Sequence, residues 1–415
     1  MKSEKQKIII RKKVKYSAVQ ALYFAVFAVA MYQTVFLQEV GFTSSQIGMM
    51  VAIGSVCGLV TMPLWGVISD RLHSARGTFL VTITATALLY STLPLFGRMV
   101  GKTAIVFYLL MAIIYLFRQP ANSLMDSWCI SELSPLGVGY GSVRMFGSLG
   151  FSVIAILLGV WVGKVVKLET TFYTLIPMAL LLLVVSLYDK KSTVNDAGTE
   201  GETETKEEKK NFQLSLLLTN KPLICYLIYA FGLYIYSSVT VVFFPYILTA
   251  SNCDPNQVGL VTGFRALLEI LAMYAGSKMA KKIPLRYVMI LPGVLFGLEN
   301  MLYMFASNLS HIMLIMIFSG LAGGFTYSLG PSYIYEIVPE EVSSTAQTGN
   351  AMIMTLVTVV GNAAGGYIIH AWGVRVLTTG CGIIILALTV FFVSSFGINR
   401  QRAGRSGVLK GCGQR

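Results

Sequence analysis

Charge is scarce in this chain of 415 residues. Only 12% of its residues are Asp, Glu, Lys or Arg and 55% are hydrophobic, whereas about 25% of the residues in a soluble domain are charged. The apolar residues form long runs, such as 104–116, 172–187 and 380–396, which are typical of segments that cross a bilayer. The composition therefore argues against a water-soluble protein and indicates a polytopic membrane protein.

Histidine and cysteine, the usual metal ligands and catalytic groups, are also rare. The three His residues are isolated at predicted helix ends, and the six Cys residues lie far apart without a Cys-x-x-Cys motif. No nucleophile–base pair and no metal-ligand spacing is recognisable. We therefore expect no catalytic residue, no metal, no disulfide framework and no bound cofactor, which argues against an enzyme.

Apolar segments of about 20 residues bounded by charge, Gly or Pro predict twelve membrane helices in two sets of six. The first set comprises 16–38, 46–69, 77–97, 103–128, 139–163 and 170–188. The second set comprises 222–249, 257–280, 286–306, 309–334, 344–369 and 374–396. The fold class predicted is an all-α membrane protein of two pseudo-symmetric six-helix bundles.

A polar segment divides the two sets. Residues 199–210 read TEGETETKEEKK and have no apolar face to bury, which is typical of a flexible linker. The sequence SQIG at 45–48 is echoed by NQVG at 256–259, as expected of the parallel repeats found in transporters. The predicted organisation is a basic N-terminus (1–15), a first bundle (16–188), a linker (189–221), a second bundle (222–396) and a tail (397–415).

Basic residues are distributed unequally between the two sides of the membrane. With the N-terminus inside, 24 of the 32 Lys and Arg residues lie in cytoplasmic segments, 5 in outer loops and 3 within the membrane. This asymmetry predicts an inner-membrane protein with both termini in the cytoplasm. The net charge of +13 is thus a topology and anionic-lipid signal rather than evidence for nucleic-acid binding.

Six ionisable side chains fall inside predicted helices. Because an unpaired charge at the bilayer centre costs from about 3 to more than 10 kcal/mol, such residues normally face protein or a water-filled cavity and form pairs. Arg118 and Asp126 share a face of helix 4, and Arg265 and Glu269 on helix 8 are close enough to touch. The remaining two are Arg144 on helix 5 and Glu299 on helix 9. Three acids and three bases can neutralise one another, although any of them can also be a structural pair or lie at the water level.

The loop after helix 2 carries a recognisable pattern. It reads GVISDRLHSAR and contains Gly66, Asp70, Arg71 and Arg76. This resembles the G-x-x-x-D-R-x-G-R signature of the major facilitator superfamily, although the inner Gly is missing. The resemblance implies that these four residues form a conformational loop that stabilises one state of the transporter.

A second resemblance lies in helices 4 and 5. The stretches SLMDSW at 123–128 and YGSVRMFGSLGF at 140–151 resemble the same region of the lactose permease group and of the neighbouring phenylpropionate permease group. In the lactose permease group an acid on helix 4, an Arg on helix 5 and an acid on helix 8 bind the sugar. The resemblance thus implies that Asp126, Arg144 and Glu269 bind substrate.

The sequence also departs from the lactose permease pattern. Helix 10 has no His and no acid before Glu336, and helix 9 carries Glu299 where an Arg is expected. An intramembrane carboxylate can take up and release a proton, so Glu269 and Glu299 are the candidates for proton coupling. Arg265 and Arg118 are the candidate charge partners.

These observations together predict a secondary active transporter that moves a small organic solute by alternating access. An oligosaccharide or related sugar in symport with protons is favoured, with the proton gradient as energy source. The alternatives are uptake of aromatic acids or nucleosides, efflux of amphipathic compounds, and a solute sensor on a transporter fold. The expected partners are the solute, protons and membrane lipids, and we expect a monomer.

Overall fold

The computed structural model describes residues 2–97, 104–188, 220–339 and 342–411. Within these residues, twelve helices are long and apolar enough to cross a membrane, and the β-structure consists of one isolated bridge between Val162 and Val166. The predicted all-α membrane fold is therefore confirmed. The predicted linker lies outside the described residues except for its last two positions.

The first six membrane helices, α1 to α6, make up the N-terminal half. Their bounds are Lys2–Ala30 and Gln33–Glu39 (α1), Ser44–Arg71 (α2), Ala75–Gly97 (α3), Ala104–Leu133 (α4), Gly141–Trp161 (α5), and Leu168–Tyr173 with Leu175–Leu187 (α6). Helix α1 begins at Lys2 rather than at residue 16 because its charged first turns continue the helix beyond the apolar window. One of these residues, Lys12, pairs with Glu132 on α4 at 2.8 Å.

The other six membrane helices, α7 to α12, make up the C-terminal half. Their bounds are Lys221–Ile235 and Phe244–Ala250 (α7), Val258–Met279 (α8), Leu285–Val288 with Ile290–Leu302 (α9), Leu309–Ile337 (α10), Ser343–Trp372 (α11) and Val374–Gly411 (α12). A π-helical turn, Tyr236–Thr240, widens α7 between its two segments. The last helix continues beyond residue 396, where its apolar run ends.

Helix α2 illustrates how local sequence sets a boundary. Gly41 adopts a φ of +101°, which glycine accepts at no steric cost, and this turn separates α1 from α2. Thr43 then caps α2 in a capping box, since its hydroxyl accepts from the Gln46 N–H while the Gln46 side chain accepts from the Thr43 N–H. Two N–H groups that would otherwise lack partners are thereby satisfied.

The two halves meet along two seams, α2 against α11 and α5 against α8. We call the end of the bundle that holds the α1–α2, α5–α6, α7–α8 and α11–α12 connections the distal end, and the opposite end the proximal end. At the distal end the seams are closed by glycines: a Cβ on Gly159 would clash with the backbone of Leu260, and one on Gly366 would clash with the backbone of Ser44. Backbone therefore packs directly on backbone there.

The hydrogen bonds between the halves that the described residues form also lie at the distal end. Tyr32 donates to the carbonyl of Asn256 at 3.1 Å, and Ser44 donates to the carbonyl of Gly366 at 3.0 Å. Toward the proximal end the same helices carry exposed apolar residues, such as Val60 on α2 and Met352 on α11. The distal end is thus where the halves hold together.

Candidate functional site

Asp126 lies on the inner face of α4 and is held by polar side chains of the N-terminal half. Tyr140 donates to its Oδ1 at 2.5 Å, and the amide of Asn122 donates to its Oδ2 at 3.2 Å. Gln20 on α1 donates in turn to the Tyr140 hydroxyl at 3.1 Å. The carboxylate is half-buried, so it retains access to solvent while its orientation is fixed.

Arg144, one helix away on α5, lies with its guanidinium carbon 4.1 Å from the centroid of the Phe24 ring. Cation–π contacts of this kind favour a fixed guanidinium plane. Arg144 interacts electrostatically with Asp126 and, across the seam between the halves, with Glu269. Asp126 and Arg144 form no ion pair within 4 Å among the described residues, and Tyr140 and Asn122 bind the carboxylate instead.

Arg118 lies deeper in the N-terminal half, away from Asp126. Its Nη1 donates to the hydroxyl of Tyr90 at 2.8 Å, and Tyr90 donates to Gln33 at 2.8 Å. The guanidinium carbon lies 4.5 Å from the centroid of the Phe27 ring. No carboxylate pairs with Arg118 in the part of the chain that the structure describes, so here aromatic rings and a hydroxyl replace the expected acid partner.

The C-terminal half contributes a second polar cluster, centred on Arg265. Its Nη2 lies 3.6 Å from the Glu269 Oε2, one helical turn along α8, as the spacing in the sequence predicts. Helix α10 packs against this turn through Gly320 and Gly324, whose Cα atoms lie against the backbone of α8. Gly323 faces the Glu269 carboxyl, and the absence of a side chain there leaves room beside it.

Glu299 on α9 is fully buried in the same half. Tyr303 donates to its Oε1 at 2.6 Å. The hydroxyls of Tyr236 and Ser319, which are hydrogen-bonded to each other, lie beside the same carboxyl. Glu299 is therefore surrounded by hydroxyl groups, and Arg265 interacts with it electrostatically from α8.

The conformational loop lies at the proximal end. Gly66, Asp70 and Arg71 belong to the last turns of α2, and Arg76 to the first turn of α3. Asp70 and Arg71 are exposed. Neither forms an ion pair among the described residues, and a Cβ on Gly66 would meet no atom within 4 Å. The loop is thus not engaged with a neighbouring helix in this conformation.

Sequence reasoning missed the hydroxyl and amide groups that hold the charges. Tyr140, Asn122 and Gln20 orient Asp126, while Tyr303 and Ser319 surround Glu299. The available signal was their polarity within otherwise apolar helices, but polarity alone does not indicate which charge a side chain will meet. Within the described ranges, no cluster of three or more His, Cys, Asp or Glu side chains is suited to a metal ion.

Two six-helix halves with charged residues on helices of both halves define a membrane transporter of the major facilitator type. The sequence profile described as "MFS_1 like family" matches residues 13–378. The chain belongs to this family, and it is an integral multi-pass membrane transporter of a small solute rather than an enzyme.

Two curated relatives cover most of this chain. An uncharacterized transporter, YwbF, of Bacillus subtilis is 22% identical over 372 residues, which are 86% of this chain and 87% of the relative. A maltose permease of Geobacillus stearothermophilus is 22% identical over 381 residues, which are 88% of this chain and 91% of the permease.

Solved structures share the fold. The nucleoside transporter NupG superposes with a TM-score of 0.74 at 16% identity, covering 93% of this chain and 99% of NupG. A bacterial homologue of the human lysosomal transporter Spinster, in an inward-facing and unoccupied conformation, gives a TM-score of 0.63 at 11% identity, covering 92% and 96% of the two chains. At these identities the likeness concerns the fold alone.

Proposed function

We propose that this transporter takes up an oligosaccharide or related sugar across the inner membrane in symport with protons. The observation that carries the proposal is the arrangement of Asp126, Arg144 and Glu269. The N-terminal half supplies the Asp126 carboxylate, which hydroxyl and amide donors orient, and the Arg144 guanidinium, which lies over the Phe24 ring. The C-terminal half supplies the Glu269 carboxylate across the seam. Carboxylates accept from sugar hydroxyls, and a ring face suits the apolar face of a pyranose.

The closed end indicates which state of the transport cycle this conformation represents. If both termini are cytoplasmic, as the basic residues predict, the distal end is the outer face and the conformation is inward-facing. The substrate then reaches Asp126 and Glu269 from the cytoplasmic side. Rocking of the two halves about these residues opens the distal seam and closes the proximal end.

The maltose permease among the relatives supports a sugar. Nucleoside uptake is the second candidate, because NupG shares the fold and the aromatic rings beside Arg144 also suit a nucleobase. Glu269 and Glu299 are the proposed proton-binding acids, and a monomer contains every residue named in the proposal.

Uptake by proteoliposomes tests this function. Radiolabelled maltose and uridine are offered separately with the external medium more acidic than the lumen. We expect maltose uptake that collapses with a protonophore, that falls by at least about tenfold in Asp126→Asn and Arg144→Ala, and that is accompanied by alkalinisation of the medium. A tenfold loss corresponds to about 1.4 kcal/mol, which the loss of one charged contact readily exceeds.

Matched controls separate the site from general effects of lost charge. Glu132→Gln removes a carboxylate from the end of α4, where it pairs with Lys12, and Arg286→Ala removes a guanidinium that lies over Tyr287 at 4.8 Å. Both should transport normally. Uptake of uridine but not maltose would favour the nucleoside alternative, and uptake insensitive to both site variants would contradict the assigned binding residues.

A further inference from the structure

The C-terminal half contains one buried cation and two buried carboxylates in a single cluster. Arg265 interacts electrostatically with both Glu269 and Glu299, so the fully ionised cluster carries one negative charge in excess. Glu299 is fully buried and Glu269 nearly so. Arg144 faces Glu269 from across the seam, whereas Arg265 is the single cation that the described residues place near Glu299. Because an uncompensated charge in an apolar interior is costly, Glu299 requires a bound proton while Arg265 pairs with Glu269.

Two atoms of the cluster lack hydrogen-bond partners. Among the described residues, the Arg265 Nε and the Glu299 Oε2 are both buried without a hydrogen bond. The Arg265 Nε is a hydrogen-bond donor of the guanidinium cation, and the Glu299 Oε2 is a hydrogen-bond acceptor of the carboxyl group. Buried unpaired polar atoms are rare in folded proteins, and this donor and this acceptor would satisfy each other if the two groups met.

The present pairing of Arg265 is loose. Its Nη2 is 3.6 Å from the Glu269 Oε2, which is longer than a hydrogen bond. The guanidinium group presents five donors in a rigid fork, so it can pair with either carboxylate after a modest rotation of the side chain. Gly323 on α10 leaves the Glu269 carboxyl room to turn once Arg265 has moved.

Hydroxyl groups surround Glu299 on the helices that pack against α9. Tyr236 on α7 and Ser319 on α10 are hydrogen-bonded to each other beside it, and Tyr303 donates to its Oε1. The titratable or charged groups facing Glu299 are Tyr303 on its own helix, Tyr236 on α7 and Arg265 on α8. Helix α12 packs on Gly297 through Leu386 and the Gly382 backbone. The hydroxyls of Tyr236 and Ser319 thus lie where they can exchange a proton with Glu299.

We propose that Arg265 and a proton exchange places between Glu269 and Glu299. In the observed arrangement Arg265 pairs with Glu269, and Glu299 carries the proton. In the exchanged arrangement the O–H bond of Glu299 has broken with its electron pair left on the carboxylate, an O–H bond has formed on Glu269, and Arg265 pairs with Glu299. The total charge of the cluster is unchanged.

Arg265 is therefore a positioning residue: it determines which acid holds the proton. In the exchanged arrangement the proton lies on Glu269, the acid that faces Arg144 across the seam. The inference rests on the proposed proton-coupled function, but its test needs no transported solute. A failed uptake assay and a failed exchange are therefore distinguishable.

Infrared spectroscopy of the purified protein in lipid tests the exchange, because only a protonated carboxyl has a carboxylic-acid C=O band that shifts in D₂O. We expect the wild type to show one such carboxyl that is missing from Glu299→Gln. Glu269→Gln should also lack it, although Glu299 is intact, because Arg265 then pairs with Glu299 and the proton leaves to water. The double variant Glu269→Gln with Arg265→Gln should regain the band.

The comparison of Glu269→Gln with the double variant is decisive, since Glu299 is the single acid of the cluster in both proteins. This comparison can be made even if Glu299→Gln does not fold. Monodisperse elution from a size-exclusion column shows which variants are folded. If neither of these two proteins is folded, Arg265→Gln alone serves, because both acids then lose this cation and the band should grow. Glu132→Gln, the surface control, should leave the band unchanged. A band that persists in Glu269→Gln, or that does not respond to the loss of Arg265, would overturn the exchange.

Discussion

At the scale of single residues, the charges inside this transporter are stabilised mostly by hydroxyl, amide and aromatic groups. Asp126 binds Tyr140 and Asn122, and Arg118 binds Tyr90. Arg265 with Glu269 is the single pair of the six intramembrane charges that the described structure brings within salt-bridge distance. A carboxylate that is held by neutral donors can exchange those hydrogen bonds for hydrogen bonds to a solute. No opposite charge is then left unpaired, which suits a binding site.

Tyr229 offers a stability test at the same scale. Its hydroxyl donates to the carbonyl of Met289 at 2.6 Å and accepts from the N–H of Gly293 at 2.9 Å, so it is inserted between two backbone groups of α9. Tyr229→Phe leaves both buried groups unpaired and should lower the free energy of unfolding by about 1 to 3 kcal/mol. Thermal unfolding of the purified protein in detergent measures the loss.

Tyr333→Phe is the matched control for this substitution. Tyr333 lies in the same aromatic cluster, with its ring centroid 5.9 Å from that of Phe392, on which Tyr229 stacks. The described residues provide its hydroxyl with no hydrogen-bond partner, so its removal should change the stability little. Equal losses in the two variants would show that the inserted hydroxyl is not the cause.

At the scale of helices, glycine decides where the halves close. Gly159 on α5 faces the Leu260 backbone, and Gly366 on α11 faces the Ser44 backbone. Both positions lie at the distal end of a seam. A side chain there cannot be accommodated by rotation, because the atoms it would meet belong to the backbone. These two crossings therefore close the seams at the distal end.

Gly366→Leu should shift the transporter toward a conformation with an open distal seam. Spin labels at Glu39→Cys and Asp254→Cys, in a background free of other cysteines, lie on opposite halves at this end. Double electron–electron resonance should show longer distances between the two spin labels in Gly366→Leu than in the labelled protein without this substitution. Gly349→Leu, on the same helix but with no atom within 4 Å of the added Cβ, should leave the distances unchanged. Unchanged distances in Gly366→Leu would contradict the role of this crossing.

At the scale of the whole molecule, the asymmetry of basic residues predicts the orientation of all twelve helices. Of the 32 Lys and Arg residues, 24 fall on the proximal side under the predicted topology. Positive charges near helix ends are retained in the cytoplasm during insertion. The assignment of the closed end to the outside depends on this single property.

Reporter fusions test the orientation. Green fluorescent protein at the C-terminus should fluoresce, and alkaline phosphatase at the same place should be inactive. Fusions after Asn252 and after Gly373, which lie in distal connections, should give the opposite pattern. A fluorescent fusion at a distal position would invert the topology and make the observed conformation outward-facing.

The sequence predicted the number of helices because lipid imposes a simple rule. Each span needs about 20 apolar residues, and this property is local. The i, i+4 spacing of Arg265 and Glu269 predicted their contact for the same reason. The starting point of α1 was wrong because charged residues beyond the membrane continue a helix without an apolar signal.

Contacts between distant segments were beyond the reach of sequence reasoning. Gln20 and Tyr140 are 120 residues apart, and Tyr236 and Ser319 are 83 apart, yet each pair forms a hydrogen bond. Nothing local distinguishes these side chains from other polar residues in apolar helices. The same limit applied to Arg118, whose expected acid partner is replaced by Tyr90 and Phe27.

The amino-acid sequence alone establishes that the protein lies in lipid, how many spans it has, which family it resembles and which charges must be protected from lipid. These properties follow from composition and from periodicity within single helices. The packing of the helices settles which groups protect those charges, where the two halves close and which acids lie near Arg265. These depend on the packing of helices far apart in the chain, where close backbone contact at glycines brings the groups together.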